Sequence, residues 1–183
     1  MSGYSAPRGA GWFTLPNLIT VLRLVLVVPI VILLLSGEHP IAAVVLAVIF
    51  GATDWVDGLL ARRLKQESRV GAILDPIADR LGVAIIGVTL VIIGAAPLWP
   101  VVAIVGVDVA VAIATLILRH EDRLHVNLIG KIRTAVIMLA AALILLGLIP
   151  GLEAVLVIGQ VLLAIGAVMH VVAGALYVQQ LRG

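Results

Sequence analysis

Apolar residues fall in six long runs, at positions 15–36, 41–62, 71–95, 100–119, 131–149 and 153–179. A helix that crosses a bilayer needs about 20 mostly apolar residues, and each run is close to that length or beyond it. In lipid only helices and closed barrels satisfy their own backbone polar groups, and these runs are too long for barrel strands. The breaks are turn-like: Ser36-Gly37-Glu38-His39-Pro40, Ala96-Pro97-Leu98-Trp99-Pro100 and Ile149-Pro150-Gly151. The pattern predicts an all-α, polytopic membrane protein of six transmembrane helices. A single domain covers residues 1–183, with no internal repeat. Residues 1–14 contain Gly3, Pro7, Gly9 and Gly11, which disfavour a long helix. Trp12 and Phe13 in that segment suit an interfacial anchor on the cytoplasmic side.

Composition sharpens this picture. The chain is 63% hydrophobic and 12% charged, with a mean hydropathy of +1.27. A soluble domain is nearer 45–50% apolar with about a quarter charged. There is no cysteine, so disulfides and thiolate metal sites are excluded. The first run has no A-x-A-like cleavage site and is followed by further runs, so it reads as a span and not as a removable signal peptide.

The sequence pI near 9.5 does not point to nucleic acid, because the basic residues punctuate the apolar runs. The connections after runs one, three and five carry no Lys or Arg. Those after runs two and four carry Arg63, Lys65, Arg69, Arg119, Arg123 and Lys131, while Arg8 and Arg182 flank the ends. By the positive-inside rule both termini lie in the cytoplasm, as expected for a protein of the cell inner membrane.

The candidate chemistry is four acidic residues where acids are expensive. Asp54 and Asp57 lie near the cytoplasmic end of run two, and Asp75 and Asp79 near the cytoplasmic start of run three. Each charged Asp in a helix centre costs about 2.5–3.5 kcal/mol on insertion scales. Asp54 and Asp57 are spaced i, i+3, and Gly71, Asp75 and Asp79 are spaced by four, so each set shares a helix face. A short connection lets the two helices lie antiparallel and brings the carboxylates together, with Gly58, Ala61 and Gly71 leaving room beside them. Clustered oxygen ligands without thiolate or imidazole suit Mg²⁺ or Mn²⁺, and two such ions form a clamp for phosphoryl transfer. On the residues alone, an ion-coupled transporter and a purely structural set of buried ion pairs stay open.

The stretch Asp54-x-x-Asp57-Gly58-x-x-Ala61-Arg62, eight residues, Gly71-x-x-x-Asp75-x-x-x-Asp79 resembles the signature of the CDP-alcohol phosphatidyltransferases at every fixed position and spacing. The resemblance implies a homodimer of six-helix protomers whose site opens to the cytoplasm. It implies transfer of a phosphatidyl group from CDP-diacylglycerol to an alcohol, with release of CMP. Asp54, Asp57 and Asp75 would hold a metal pair, and Asp79 would ligate one metal and act as base on the acceptor hydroxyl. Gly58, Ala61, Arg62 and Gly71 would line the CDP-lipid site with Asp54.

Pro16-Asn17-Leu18-Ile19-Thr20 with Arg23, Leu74-Asp75-Pro76-Ile77-Ala78-Asp79-Arg80, and Gly130-Lys131-Ile132-Arg133-Thr134 resemble the phosphatidylglycerophosphate synthase and cardiolipin synthase branch. This adds Asn17 and Thr20 to the CDP-lipid site and makes Lys131, Arg133, Arg23 and Arg80 the acceptor-binding candidates. The implied acceptor is glycerol 3-phosphate, with phosphatidylglycerol second and inositol phosphate third. The Arg-Glu pair that glycerophosphate-using members often carry in span four is replaced by Ile104-Val105-Gly106-Val107-Asp108-Val109. Asp108 is expected to bond to Arg23 or Arg80, or to reach the acceptor pocket. His170 is expected to be a hydrogen-bonded bundle residue, and His39, His120 and His125 loop residues.

Overall fold

The computed structural model describes residues 15–64, 69–118 and 128–182, with side chains placed at 18–53, 78, 80–114, 132–177 and 179. Among the described residues it contains six helices and no strand. They are α1 (Leu15–Ser36), α2 (Pro40–Leu64), α3 (Arg69–Ile92), α4 (Leu98–Leu118), α5 (Leu128–Leu146) and α6 (Glu153–Arg182).

Three tight turns join α1 to α2, α3 to α4 and α5 to α6. Each holds a glycine with positive φ: Gly37 at 66°, Gly94 at 75° and Gly151 at 91°. At Gly94 this left-handed residue lets the Ala95 and Ala96 N–H groups both reach back to the Leu90 carbonyl, at 2.8 and 3.0 Å. The carbonyls that end α3 are thereby satisfied without water. Pro40 opens α2, where its fixed φ suits the helix and its missing N–H is not needed. The Gly151 N–H donates to the Glu153 carboxylate at 3.0 Å, and Glu153 places negative charge at the N-terminus of α6.

Small residues set how closely the helices approach. α5 and α6 are the most intimate pair. A Cβ on Gly159 of α6 would lie 2.7 Å from the Ile144 amide nitrogen of α5, and one on Gly166 2.8 Å from Ile137. α1 packs on both α2 and α3, and α4 packs more on α6 than on its chain neighbour α3. The Gln160 amide of α6 donates to the Ala95 carbonyl at 2.9 Å, tying α6 to the α3–α4 turn.

The surface polarity is the reverse of a water-soluble bundle. On α1 the polar Thr20 and Arg23 are 0% and 1% exposed, while Val25, Val28 and Ile32 are each more than half exposed. Exposed Leu, Ile and Val continue over the other helices. A monomer in water rarely shows a contiguous apolar patch beyond a few hundred Å². Two described stretches, Leu18–Ser36 and Glu153–Tyr177, are long and apolar enough to cross a membrane. Shorter apolar stretches occur at Pro40–Thr53, Arg80–Ile92, Leu98–Ala114 and Ile132–Leu146.

Candidate active site

The carboxylate motif is carried by α2 and α3. Asp54, Asp57, Gly58, Ala61 and Arg62 belong to α2, and Gly71, Asp75 and Asp79 to α3. The backbone is helical at all eight positions, so the register expected from the spacing is kept. Their side chains lie outside the described residues, as do those of Asn17 on α1 and Lys131 on α5. His120 and His125 fall outside them altogether.

α1 is the helix that packs on both motif helices. It contributes Thr20 and Arg23, whose side chains are the polar part of the core on that side. Neither is without a partner. Ala78, between Asp75 and Asp79, is 1% exposed, which fixes one face of α3 inward at the level of the motif. Arg133 on α5 is half-buried, and its Nε is buried without a hydrogen bond. An Arg donor left unmatched in the protein interior is costly unless a ligand completes it.

Next to the motif lies a half-open cavity of about 610 Å³, lined by residues of α2 to α6. It begins at Gly51 on α2, one turn from Asp54, and at Arg80 on α3, the residue after Asp79. From there it runs past Ile86, Leu90 and Val101 to Leu145. Its walls are apolar except for Arg80 and Asp108. Among the described residues α3 and α4, and likewise α2 and α5, touch only sparsely, which leaves this space between them.

Asp108 is not paired with Arg23 or Arg80. Its Oδ1 lies 3.3 Å from Nε2 of His170 on α6. The two groups are close but not aligned as a hydrogen bond, and both His170 ring nitrogens are otherwise buried without a partner. The pairing follows from close packing of α4 on α6. A Cβ on Gly174, one turn beyond His170, would clash with the Val107 side chain beside Asp108. The sequence marks Asp108 as an acid inside an apolar run, but carries no local signal for a partner 62 residues later. His39 lies in the α1–α2 turn, as expected.

Among the described side chains, no three His, Asp or Glu residues form a metal-binding group. The donor set in the α2–α3 motif is four carboxylates, which is chemistry that suits a hard divalent ion.

The family model for CDP-alcohol phosphatidyltransferase matches residues 13–172, all but the two ends of the chain. The chain belongs to that family. Among its curated relatives, a putative cardiolipin synthase of Mycobacterium tuberculosis is 36% identical over 136 residues, 73% of this chain and 65% of that protein. The CDP-diacylglycerol–glycerol-3-phosphate 3-phosphatidyltransferase of Bacillus subtilis is 34% identical over 153 residues, 75% of this chain and 79% of that protein. A probable phosphatidylglycerophosphate synthase of M. tuberculosis is 35% identical over 172 residues, 90% and 79% of the two chains. The chain thus spans just under two thirds of the first of these and more of the other two.

Proposed function

We propose that this chain transfers the phosphatidyl group of CDP-diacylglycerol to an alcohol and releases CMP, with glycerol 3-phosphate as acceptor and phosphatidylglycerophosphate as product. The observation that carries the reading is the complete eight-position carboxylate motif on two helices of a chain that matches the family over residues 13–172. Relatives named for this reaction support the acceptor.

In the reaction an acceptor hydroxyl oxygen attacks the lipid-bearing phosphorus of CDP-diacylglycerol. A new P–O bond forms to the acceptor, the bond from that phosphorus to the CMP oxygen breaks, and the electron pair leaves with CMP. Asp79 takes the hydroxyl proton, since an alcohol is a poor nucleophile unless its proton has somewhere to go. Asp54, Asp57, Asp75 and Asp79 would hold two Mg²⁺ or Mn²⁺ ions, which when bound offset the charge of the diphosphate. Arg62 and the small residues Gly58, Ala61 and Gly71 receive the CDP moiety, with Asn17 and Thr20 from α1 beside them. Lys131 and Arg133 hold the acceptor phosphate, with Arg23 and Arg80 contributing positive charge.

All six helices span the membrane in this reading, with both termini and the motif on the cytoplasmic side of the inner membrane, and the protein works as a homodimer. The mostly apolar exterior supports the spans, and the distribution of Lys and Arg supports the direction.

The apolar cavity favours a second reading, phosphatidylglycerol as acceptor and cardiolipin as product, because it offers an acyl chain a dry channel. The putative cardiolipin synthase relative agrees with it. The deciding experiment measures CMP release by purified protein in detergent with CDP-diacylglycerol and Mg²⁺. Glycerol 3-phosphate, phosphatidylglycerol and inositol phosphate are offered separately. Release with one acceptor names the reaction. Ion flux into proteoliposomes without any CMP release would instead establish a transporter.

A further inference from the structure

We propose that Asp108, positioned by His170, is the hydroxyl-recognition residue of the acceptor pocket and selects acceptors that carry a glyceryl diol. The inference rests on the transferase reading and adds a specificity residue outside the family motif.

The argument starts from where the two charged cavity residues sit. Counted from the α3–α4 turn, Arg80 is twelve residues from Ile92 and Asp108 ten residues from Leu98. At 1.5 Å per residue these are depths of roughly 18 and 15 Å, within one helical turn of each other. The cavity therefore has a polar end, adjacent to Asp79 in sequence, and an apolar remainder directed toward the turn. A ligand that fits places a polar head at Arg80 and Asp108.

The two residues ask for different things. Arg80 donates hydrogen bonds and attracts a phosphate. An ionised carboxylate only accepts, with two oxygens and about four lone-pair sites, so it repels phosphate and selects O–H donors. One oxygen of Asp108 faces His170 at 3.3 Å. The Asp108 side chain is still 32% exposed, whereas that of His170 is 5% exposed. His170 thus anchors the carboxylate from behind and leaves acceptor capacity toward the cavity. A head that bears both a phosphate and adjacent hydroxyls meets Arg80 and Asp108 together. Glycerol 3-phosphate and the headgroup of phosphatidylglycerol share that chemistry.

The test removes one hydroxyl from the acceptor and one carboxylate from the protein. Transfer is measured with glycerol 3-phosphate against 3-hydroxypropyl phosphate, and with phosphatidylglycerol against phosphatidylpropane-1,3-diol. Each second compound keeps the reacting hydroxyl and lacks its neighbour. Wild-type protein should prefer one diol over its analogue by roughly ten- to hundredfold in kcat/KM, the effect of one hydrogen bond to a charged group. The pair that shows the preference identifies the source of the diol. Asp108→Leu should bring the ratio near one while leaving the KM for CDP-diacylglycerol unchanged. His170→Leu should weaken the preference, and His170→Gln, whose amide keeps a polar group beside Asp108, should restore most of it. A wild-type ratio near one, or a full preference in Asp108→Leu, overturns the proposal. A purely structural role would lower turnover of diol and analogue alike. Should Asp108→Leu fail to fold, Asp108→Ala, which removes the acceptor without adding bulk, gives the same comparison. Absence of transfer to every acceptor defeats the transferase reading itself. Thermal stabilisation of the purified protein by the same four compounds then tests Asp108 separately, and equal stabilisation by diols and analogues overturns it.

Discussion

Arg23 and Asp108 are both charged residues set in apolar helices, yet they fare differently. Arg23 is 1% exposed in the core between α1 and the two motif helices. Truncating a fully buried side chain of this size leaves a cavity behind it, at a cost of about 2–5 kcal/mol. Arg23→Ala should therefore lower thermal stability in detergent sharply, as well as activity, and a melting temperature within a degree of wild type would show that its burial does not stabilise the bundle. Arg133 has a buried Nε without a hydrogen bond, so its loss should fall on the ligand. Arg133→Ala should raise the KM for a phosphorylated acceptor by ten- to hundredfold or so with little change for CDP-diacylglycerol, and steady-state kinetics with each substrate varied in turn checks this. The motif aspartates were legible because their spacing is a local pattern. The Asp108–His170 contact was not, because it depends on how α4 and α6 approach in space.

At the scale of elements, apolar run lengths located all six helices but not their ends. The third run extends to Ala95, whereas α3 stops at Ile92. Hydropathy cannot see the left-handed Gly94, which turns the chain while the residues remain apolar. The fifth run likewise reaches Ile149, while α5 stops at Leu146 before a turn. Helix approach was equally hidden. Gly159 looks like any membrane-helix glycine until a Cβ there is seen to fall 2.7 Å from the Ile144 backbone. Gly159→Leu should separate α5 from α6 and destabilise the protein by about 1–3 kcal/mol or more, read as a fall in melting temperature. Gln160→Leu removes only the bond to Ala95 and should cost about 0.5–1.5 kcal/mol. A Gln160→Leu loss as large as that of Gly159→Leu would show that the α3–α4 turn, and not the α5–α6 seam, limits stability.

For the whole molecule, membrane residence was readable from composition, because the amount of apolar residue is a property of the chain and not of its arrangement. The cavity was not readable, since it exists only where helices fail to touch. The absence of cysteine makes the proposed orientation simple to check. In sealed cells a membrane-impermeant thiol reagent should label Glu38→Cys, in the α1–α2 turn, and spare Gln179→Cys near the end of α6. The opposite pattern would invert the assignment. Chelation of divalent ions should abolish CMP release without unfolding the bundle, and readdition of Mg²⁺ or Mn²⁺ should restore it; activity that survives chelation would remove the metal role of the four aspartates.

The three glycine turns make one end of the bundle a set of closed hairpins, with three to six residues between consecutive helices. In the proposed orientation this is the outer end, so neither substrate nor product passes there. CMP departs into the cytoplasm, and the new lipid is released into the leaflet that faces it. Each turnover consumes one lipid and makes another in that same leaflet, so it changes the composition of one side of the bilayer and adds no acyl chains to it. The product then reaches the other leaflet only if the cell moves it across the membrane by other means.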